Sequence, residues 1–325
     1  MKAVWYDRTG GPEVLTHGDL PTPSPAPGEV LVRLATSGVN PSDWKTRSGT
    51  SRPMAFPRVV PHSDGAGTVE AVGDGVDRAR VGERVWIWNG QWKRAWGTAA
   101  EHIALPAAQA VRLPENTGFD EGACLGIPAL TALHALLTDS GVSGRRVLVT
   151  GGAGSVGHYA VQFARLLGAA QVLATVSSEA KAAHAMSAGA DATIDYKRED
   201  VPERVAALTG GRGVDRVVEV DVSGNAAEVP ALLAPGGVCA VYGANGAAAE
   251  IAFGPSILKG IAFRFFIVYE LDAAQRAAAL GALNGWLERG LVRHAVAARM
   301  PLAACAEAHR AVQEGRHMGN LVLDC

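Results

Sequence analysis

The 325-residue sequence predicts an α/β protein of two domains, one mostly β and the other a doubly wound parallel sheet. Three observations carry that prediction. Residues 1–114 are short β-rich runs separated by Gly and Pro. From Asp120 onward, apolar Ala-rich stretches of helical texture alternate with short Val-rich runs. Between residues 146 and 168 a strand pattern passes through a glycine-rich turn into an amphipathic helix pattern. Apolar residues make up 48% of the chain, enough to give each domain its own core.

The first half offers strands at 29–34, 67–72, 84–88 and 101–104, each bounded by Gly or Pro, which suits a compact antiparallel domain. Residues 21–27 are Pro-rich, lack core-forming side chains and read as a surface connection. The second half offers strands at 146–150, 171–176, 193–194, 214–220 and 237–242, with helices at 157–167 and 178–188 among them. Such alternation is the mark of a parallel sheet covered on both faces. The last stretch holds an Ala-rich helix at 272–289, a second at 303–314 and an apolar run at 321–323. It has no further glycine turn, and no internal repeat is evident.

Charge narrows the function. Charged residues are 19% of the chain, the net charge is −2, and the two signs are interspersed, so no footprint for nucleic acid or anionic lipid is expected. No apolar run approaches the roughly 20 residues of a membrane span, and MKAVWYDRTGGPEVL lacks the apolar core of a signal peptide. The expectation is a cytoplasmic protein acting on a small molecule. Cys124, Cys239, Cys305 and Cys325 are dispersed and show no CxxC or Cys/His ligand spacing, which points to small buried hydrophobes rather than disulfides or a zinc knuckle.

The segment RVLVT (146–150) runs into GGAGSVG (151–157) and then HYAVQFARLLG (158–168). Glycines allow a tight turn and close approach of backbone N–H groups to a pyrophosphate, while the helix N-terminus adds partial positive charge. Gly152, Gly154 and Gly157 fit the spacing of a dinucleotide-binding turn, and Ala153, Ser155 and Val156 complete it. The alternative is a turn that only packs helix on sheet. The strand at 171–176 ends in Ser177 and Ser178 rather than in an acid, and Lys181 lies one helical turn on. Small hydroxyls and a cation suit a ribose 2′-phosphate, so NADPH is the expected cofactor, with Tyr196 as a further hydroxyl. Lys181 alone reads equally well as a solvated helix residue. His158 is better suited to packing or exposure than to chemistry. Trp44, Trp86, Trp88, Trp92 and Trp96 could face a planar substrate or pack the β domain.

The stretch SGVNPSDWKTRSG (37–49) resembles the signature GVNPxDxxxRxG of the zeta-crystallin-like quinone oxidoreductases, in the medium-chain dehydrogenase/reductase superfamily. GTAAEH (97–102), the glycine turn and PGGVCAVYG (235–243) extend the similarity over nearly the whole chain. The resemblance implies a GroES-like catalytic domain from residues 1–118 and 265–325, with a Rossmann NADPH-binding domain at 119–264 between them. It places the active site in the cleft and implies a homodimer joined edge to edge near residues 262–269. Zinc-dependent relatives carry ligands where this chain has Asn40, Ser63 (followed by Asp64) and a position near Ile127, and their structural zinc lobe is replaced by WNGQWKRAW (88–96). His62 is one residue out of register. Zinc needs about four N, S or O ligands, or three and water, so no metal is expected.

Without a Lewis acid, hydride transfer from NADPH to a quinone is the expected reaction. Asn40 is the candidate to hold the nicotinamide or the developing oxyanion, with Ser42, Asp43 and Lys45 beside it. Many relatives have tyrosine at the place of Lys45, a departure that bears on substrate preference. By family position Thr131 lies near the nicotinamide, Ser223, Tyr242, Gly243, Ala244 and Asn245 along the cofactor, Phe266 and Ile267 near its ring, and Asn320 in the closing segment. Each also has a plain reading as cap, turn or core residue. Two alternatives stay open: an enone or alkenal double-bond reductase, and a crystallin-like NADPH-binding protein without turnover.

Overall fold

The longest strand, Glu29–Val39, serves two partners along one edge. His102–Pro106 pairs with its first half and Asn320–Asp324 with its second, while Asp64–Val72 pairs along the other edge. Register shifts at Leu31/Val32 and Leu34/Thr36 bend it between the two. In the computed structural model, which describes residues 1–315 and 317–325, this strand centres the first of two compact units, Met1–Ile127 with Asn284–Cys325. The sheet path runs Val296–Pro301, Asn320–Asp324, Glu29–Val39, Asp64–Val72, Arg84–Ile87, Ala110–Arg112, all antiparallel except the first pair.

Val30, Val32, Leu34, Val69, Val85, Ile87, Ile103 and Leu105 fill one core of this unit. A second core gathers Val4, Val39, Val60, Leu302, Leu321 and Leu323 under the helix Cys305–Glu314. That helix buries Cys305, Ala308, His309 and Val312, the i, i+3, i+4, i+7 stripe of an amphipathic helix. Strands Lys2–Trp5, Thr16–Asp19 and Val296–Pro301 and the helix Pro41–Ser48 were not read from the sequence. The helix starts on Pro41 after the cap residue Asn40 and stops at Gly49, whose φ of 80° is left-handed.

The second unit, Pro128–Leu283, is a six-stranded sheet in the order Ala192–Asp195, Gln171–Val176, Arg146–Val149, Val214–Glu219, Leu233–Val241, Ala262–Phe265. Every pairing is parallel, and the order reverses between the third and fourth strands of that path. That reversal is the switch point at which doubly wound sheets bind dinucleotides. Arg216 is buried in this unit and donates to Ala135 O at 2.6 Å and Thr138 O at 2.7 Å, so its cation rests on carbonyls at the C-terminal end of the helix Leu130–Leu137.

The units divide after Ile127 and Leu283, not at 118/119 and 264/265. Residues 119–127 are tied to the β unit, where Phe119 O accepts from Thr36 Oγ1 and Ile127 N donates to Asp64 Oδ2. Residues beyond 264 stay with the parallel sheet, since Phe266 N donates to Val241 O and Phe266 packs on His134. Among the described residues no helix is long and apolar enough to cross a membrane.

Candidate functional site

In the parallel-sheet unit, Arg146–Val149 leads through the glycine turn into the helix Ser155–Leu166, whose cap is Gly154. Gly152 and Gly157 are required by space. A Cβ on Gly152 would lie 2.6 Å from Ala174 Cβ, and one on Gly157 would overlap Gly151 O. The turn is anchored to the next strand, with Gly151 N donating to Thr175 Oγ1 and Gly152 N to Thr175 O, both at 3.0 Å. Ala153 is buried beneath it. The positive end of a three-turn helix is thus held at the switch point, the arrangement that receives a pyrophosphate.

Ser177 and Lys181 come together as the sequence predicts, Lys181 Nζ donating to Ser177 Oγ at 3.2 Å. Tyr196 N donates to Val176 O, which ties the residue's backbone to the same strand end, and its side chain is half exposed. Ser178 has a structural use as well. Its Oγ accepts from Lys181 N as the cap of the helix Glu179–Ser187, so it positions Lys181.

Ser223 and Asn245 also do something the sequence did not show. Ser223 Oγ donates to Asp221 Oδ1 at 2.5 Å and accepts from Asn245 N and Gly246 N, while Asn245 Nδ2 donates to Asp221 Oδ2. Burial pushes Asp221 up, but those hydrogen bonds outweigh it and hold the carboxyl below its usual range. Asp221 therefore organises the segment Tyr242, Gly243, Ala244 and Asn245. Gly243 fits there because a Cβ would collide with Val220 O. Tyr242 N donates to Glu219 O. Thr131 is buried on the helix Leu130–Leu137, Phe266 stacks edge-on with His134 at 4.6 Å, and Ile267 is half exposed. His158 is buried and stacks on His184, a packing use.

In the β unit, Asn40 sits between two buried carboxyls. Its N donates to Asp43 Oδ2 at 2.7 Å and its Nδ2 to Asp64 Oδ2 at 2.8 Å. Asp64 Oδ2 also accepts from Ile127 N at 3.0 Å, while Oδ1 is buried without a partner. Burial raises Asp64 well above the usual carboxylate range and Asp43 to about 7. Asp64, in the register of a zinc ligand's neighbour, is thus the residue that fixes the Asn40 amide. Ser42 lies in the first turn of the same helix, and Lys45 reaches over the Trp44 ring, 5.8 Å from its centroid. Asn320, expected near the cofactor, is buried in this unit, with its N and Nδ2 both donating to Ala295 O. Trp86 is fully buried, and Trp92 carries the Arg52 guanidinium on its ring.

The positions that hold catalytic zinc in other dehydrogenases do not fit it here. Asn40 Nδ2 and Ile127 N are donors spent on the same Asp64 oxygen, and Ser63 offers only a hydroxyl. His62 turns away, with φ 74°, its Nδ1 2.9 Å from Ser37 Oγ and its Nε2 2.8 Å from His309 Nε2. Cys305 Sγ lies 3.8 Å from His62 Nε2, and Cys305 and His309 are one helical turn apart, a ligand spacing the sequence reading passed over. Burial holds both imidazoles neutral, His62 down to about 3 and His309 well below its usual range, and the two rings lie stacked and hydrogen-bonded within the core.

Comparison with known proteins agrees with this anatomy. Residues 26–115 match the alcohol dehydrogenase GroES-like domain and residues 155–283 the family described as zinc-binding dehydrogenase. A quinone oxidoreductase of Rattus norvegicus is 32% identical, covering 99% of this chain and 97% of that protein. A 2-haloacrylate reductase of a Burkholderia species is 31% identical, covering 99% of this chain and 98% of that one. Among solved structures, the quinone oxidoreductase of Thermus thermophilus, studied also in complex with NADPH, superposes with TM-score 0.86 at 32% identity over the whole of both chains. A structure described as an NAD-dependent alcohol dehydrogenase superposes with TM-score 0.90 at 33% identity, again over both entire chains.

Proposed function

Because this chain belongs to the quinone oxidoreductase family of the medium-chain dehydrogenase/reductase superfamily, we propose that it is an NADPH-dependent enzyme that reduces quinones without zinc. The observation that carries the choice of cofactor is the Ser177–Lys181 pair at the end of the second strand, beside Tyr196 and without an acid at that strand end. A cation and hydroxyls there reward a 2′-phosphate, whereas an acid would repel it.

NADPH, when bound, supplies the hydride. The glycine turn and the helix Ser155–Leu166 hold the pyrophosphate, Lys181, Ser177 and Tyr196 hold the 2′-phosphate, and the Asp221-organised segment lines the cofactor's path. Thr131, Phe266 and Ile267 are assigned to the nicotinamide end. Asn40, fixed by Asp64 and Asp43, orients the acceptor and meets its developing negative charge. Ser42 and Lys45 complete that face. Asp43 and Asp64 act as positioning residues, since neither is offered to solvent.

An enone or alkenal reductase is the second reading, and the kinship with a 2-haloacrylate reductase favours keeping it. The interspersed charge argues against an RNA-binding role, and a cofactor-binding protein without turnover is the third reading. We also infer a homodimer. The edge strand Ala262–Phe265 and the neighbouring helix Phe253–Lys259 expose Phe253 at 75%, Leu258 at 88% and Phe265 at 64%, apolar surface that a second copy would cover. The test is NADPH oxidation by the purified protein with 9,10-phenanthrenequinone and with a simple enone: quinone turnover supports the first reading, faster enone turnover the second, and none with either the third.

A further inference from the structure

The β unit contains a cavity whose walls, among the described residues, combine an apolar body with cations and no acid. Tyr6, Met54, Phe56 and Val59 supply the apolar surface, Arg52 and Lys93 the charge, and Thr46 from the helix Pro41–Ser48 closes one side. The cavity therefore lies against the helix that Asn40 caps. Arg52 is held there by neutral groups. Its Nη2 donates to Gln91 Oε1 at 3.2 Å, and its guanidinium lies over the Trp92 ring, 4.4 Å from the centroid. Among the described residues it makes no ion pair. Asp43 feels its field, but that carboxyl is buried, raised to about 7 and already accepts the Asn40 N–H.

An arginine oriented by a ring and an amide, with its charge uncompensated, is poised for an anion, and its planar fork matches a carboxylate. Tyr6 adds a phenol that burial raises to about 12, so it keeps its proton as a donor. We propose that this cavity selects acceptors bearing a carboxylate on a flat apolar body, with Arg52 as the specificity-determining residue. The inference rests on the reductase reading above and names its substrate class. Gln91 and Trp92 then act as positioning residues, fixing the plane of the guanidinium.

The test compares 9,10-phenanthrenequinone-2-carboxylate with its methyl ester as acceptors for the wild-type protein, Arg52→Gln and Arg52→Lys. The ratio of kcat/KM for acid over ester is the readout, because it cancels changes common to both. A charged hydrogen bond contributes about 1.5–3 kcal/mol, so the ratio should fall roughly 10- to 150-fold in Arg52→Gln. In Arg52→Lys, which keeps the charge and loses the fork, it should fall by less. An unchanged ratio in Arg52→Gln overturns the proposal. Calorimetric titration of anthraquinone-2-carboxylate into the protein without cofactor separates the two readings. Binding that weakens in Arg52→Gln supports the anion site even if neither quinone is turned over, an outcome that would sink only the quinone reaction. Equal or absent binding in both proteins removes the anion site.

Discussion

Asp43→Asn should change how stability depends on pH. In the native protein Asp43 is buried and its pKa stands at about 7 instead of the ordinary 3.8, with burial as the cause and the Asn40 N–H as a partial offset. A carboxyl whose folded pKa is raised binds its proton more tightly in the folded state. Its stabilisation is therefore complete below the unfolded pKa and is lost as pH rises through the folded one. Across the full window the difference corresponds to about 4 kcal/mol, and between pH 5 and pH 8 to about 2.5 kcal/mol, of which roughly 0.8 remains at pH 6.5. Asparagine keeps an acceptor for the Asn40 N–H and cannot titrate. The stability of Asp43→Asn relative to wild type should thus rise by about 2.5 kcal/mol between pH 5 and pH 8. Urea unfolding followed by tryptophan fluorescence suits the purpose, because all seven tryptophans belong to the unit that contains Asp43. Taking the difference between the two proteins removes the opposing loss at low pH from buried His62 and His309, whose folded pKa values are depressed. A difference independent of pH would refute the view that Asp43 is a desolvated carboxyl.

Other outcomes follow from the same contacts. Lys181→Glu removes the cation on Ser177 and adds a repelling charge, and should cut kcat/KM for NADPH by about 10- to 100-fold while affecting NADH far less, as read in parallel assays with one quinone. Asn40→Ala removes the oriented amide and should lower kcat by about 10²-fold or more, with the fold intact by circular dichroism. Gly157→Ala forces Cβ onto the Gly151 carbonyl and should destabilise the parallel-sheet unit by about 1–3 kcal/mol and weaken NADPH binding in titration calorimetry. Leu258→Lys places a charge on the exposed helix face and should shift the protein to monomer in analytical ultracentrifugation at micromolar concentration.

The parallel-sheet unit was readable because its local signals agree with its fold. Gln171–Val176 is bounded by the sequence itself, and the glycine turn joins strand to helix within a dozen residues. The β unit was less so. Pro41–Ser48 has little apolar periodicity, and its helix depends on the Asn40 cap and on Asp43 three residues later. Val296–Pro301 exists because Asn320–Asp324 lies beside it, a pairing no local pattern announces. The same limit governed the site. Ser177 and Lys181 are four residues apart and could be paired by eye, whereas Asp64 on Asn40, Asp221 on Asn245 and Ala295 on Asn320 are bonds across 24 or 25 positions. Ser178 could have been recognised as a cap from the helix that follows it.

The most direct measurement is steady-state oxidation of NADPH and NADH by chelator-treated protein with 9,10-phenanthrenequinone. The proposed function predicts turnover that survives metal removal and prefers NADPH, with the Ser177–Lys181 pair proposed to receive the 2′-phosphate and the zinc positions lacking a fitting donor set. Activity that vanishes with chelation and returns with zinc, or a preference for NADH, would contradict it.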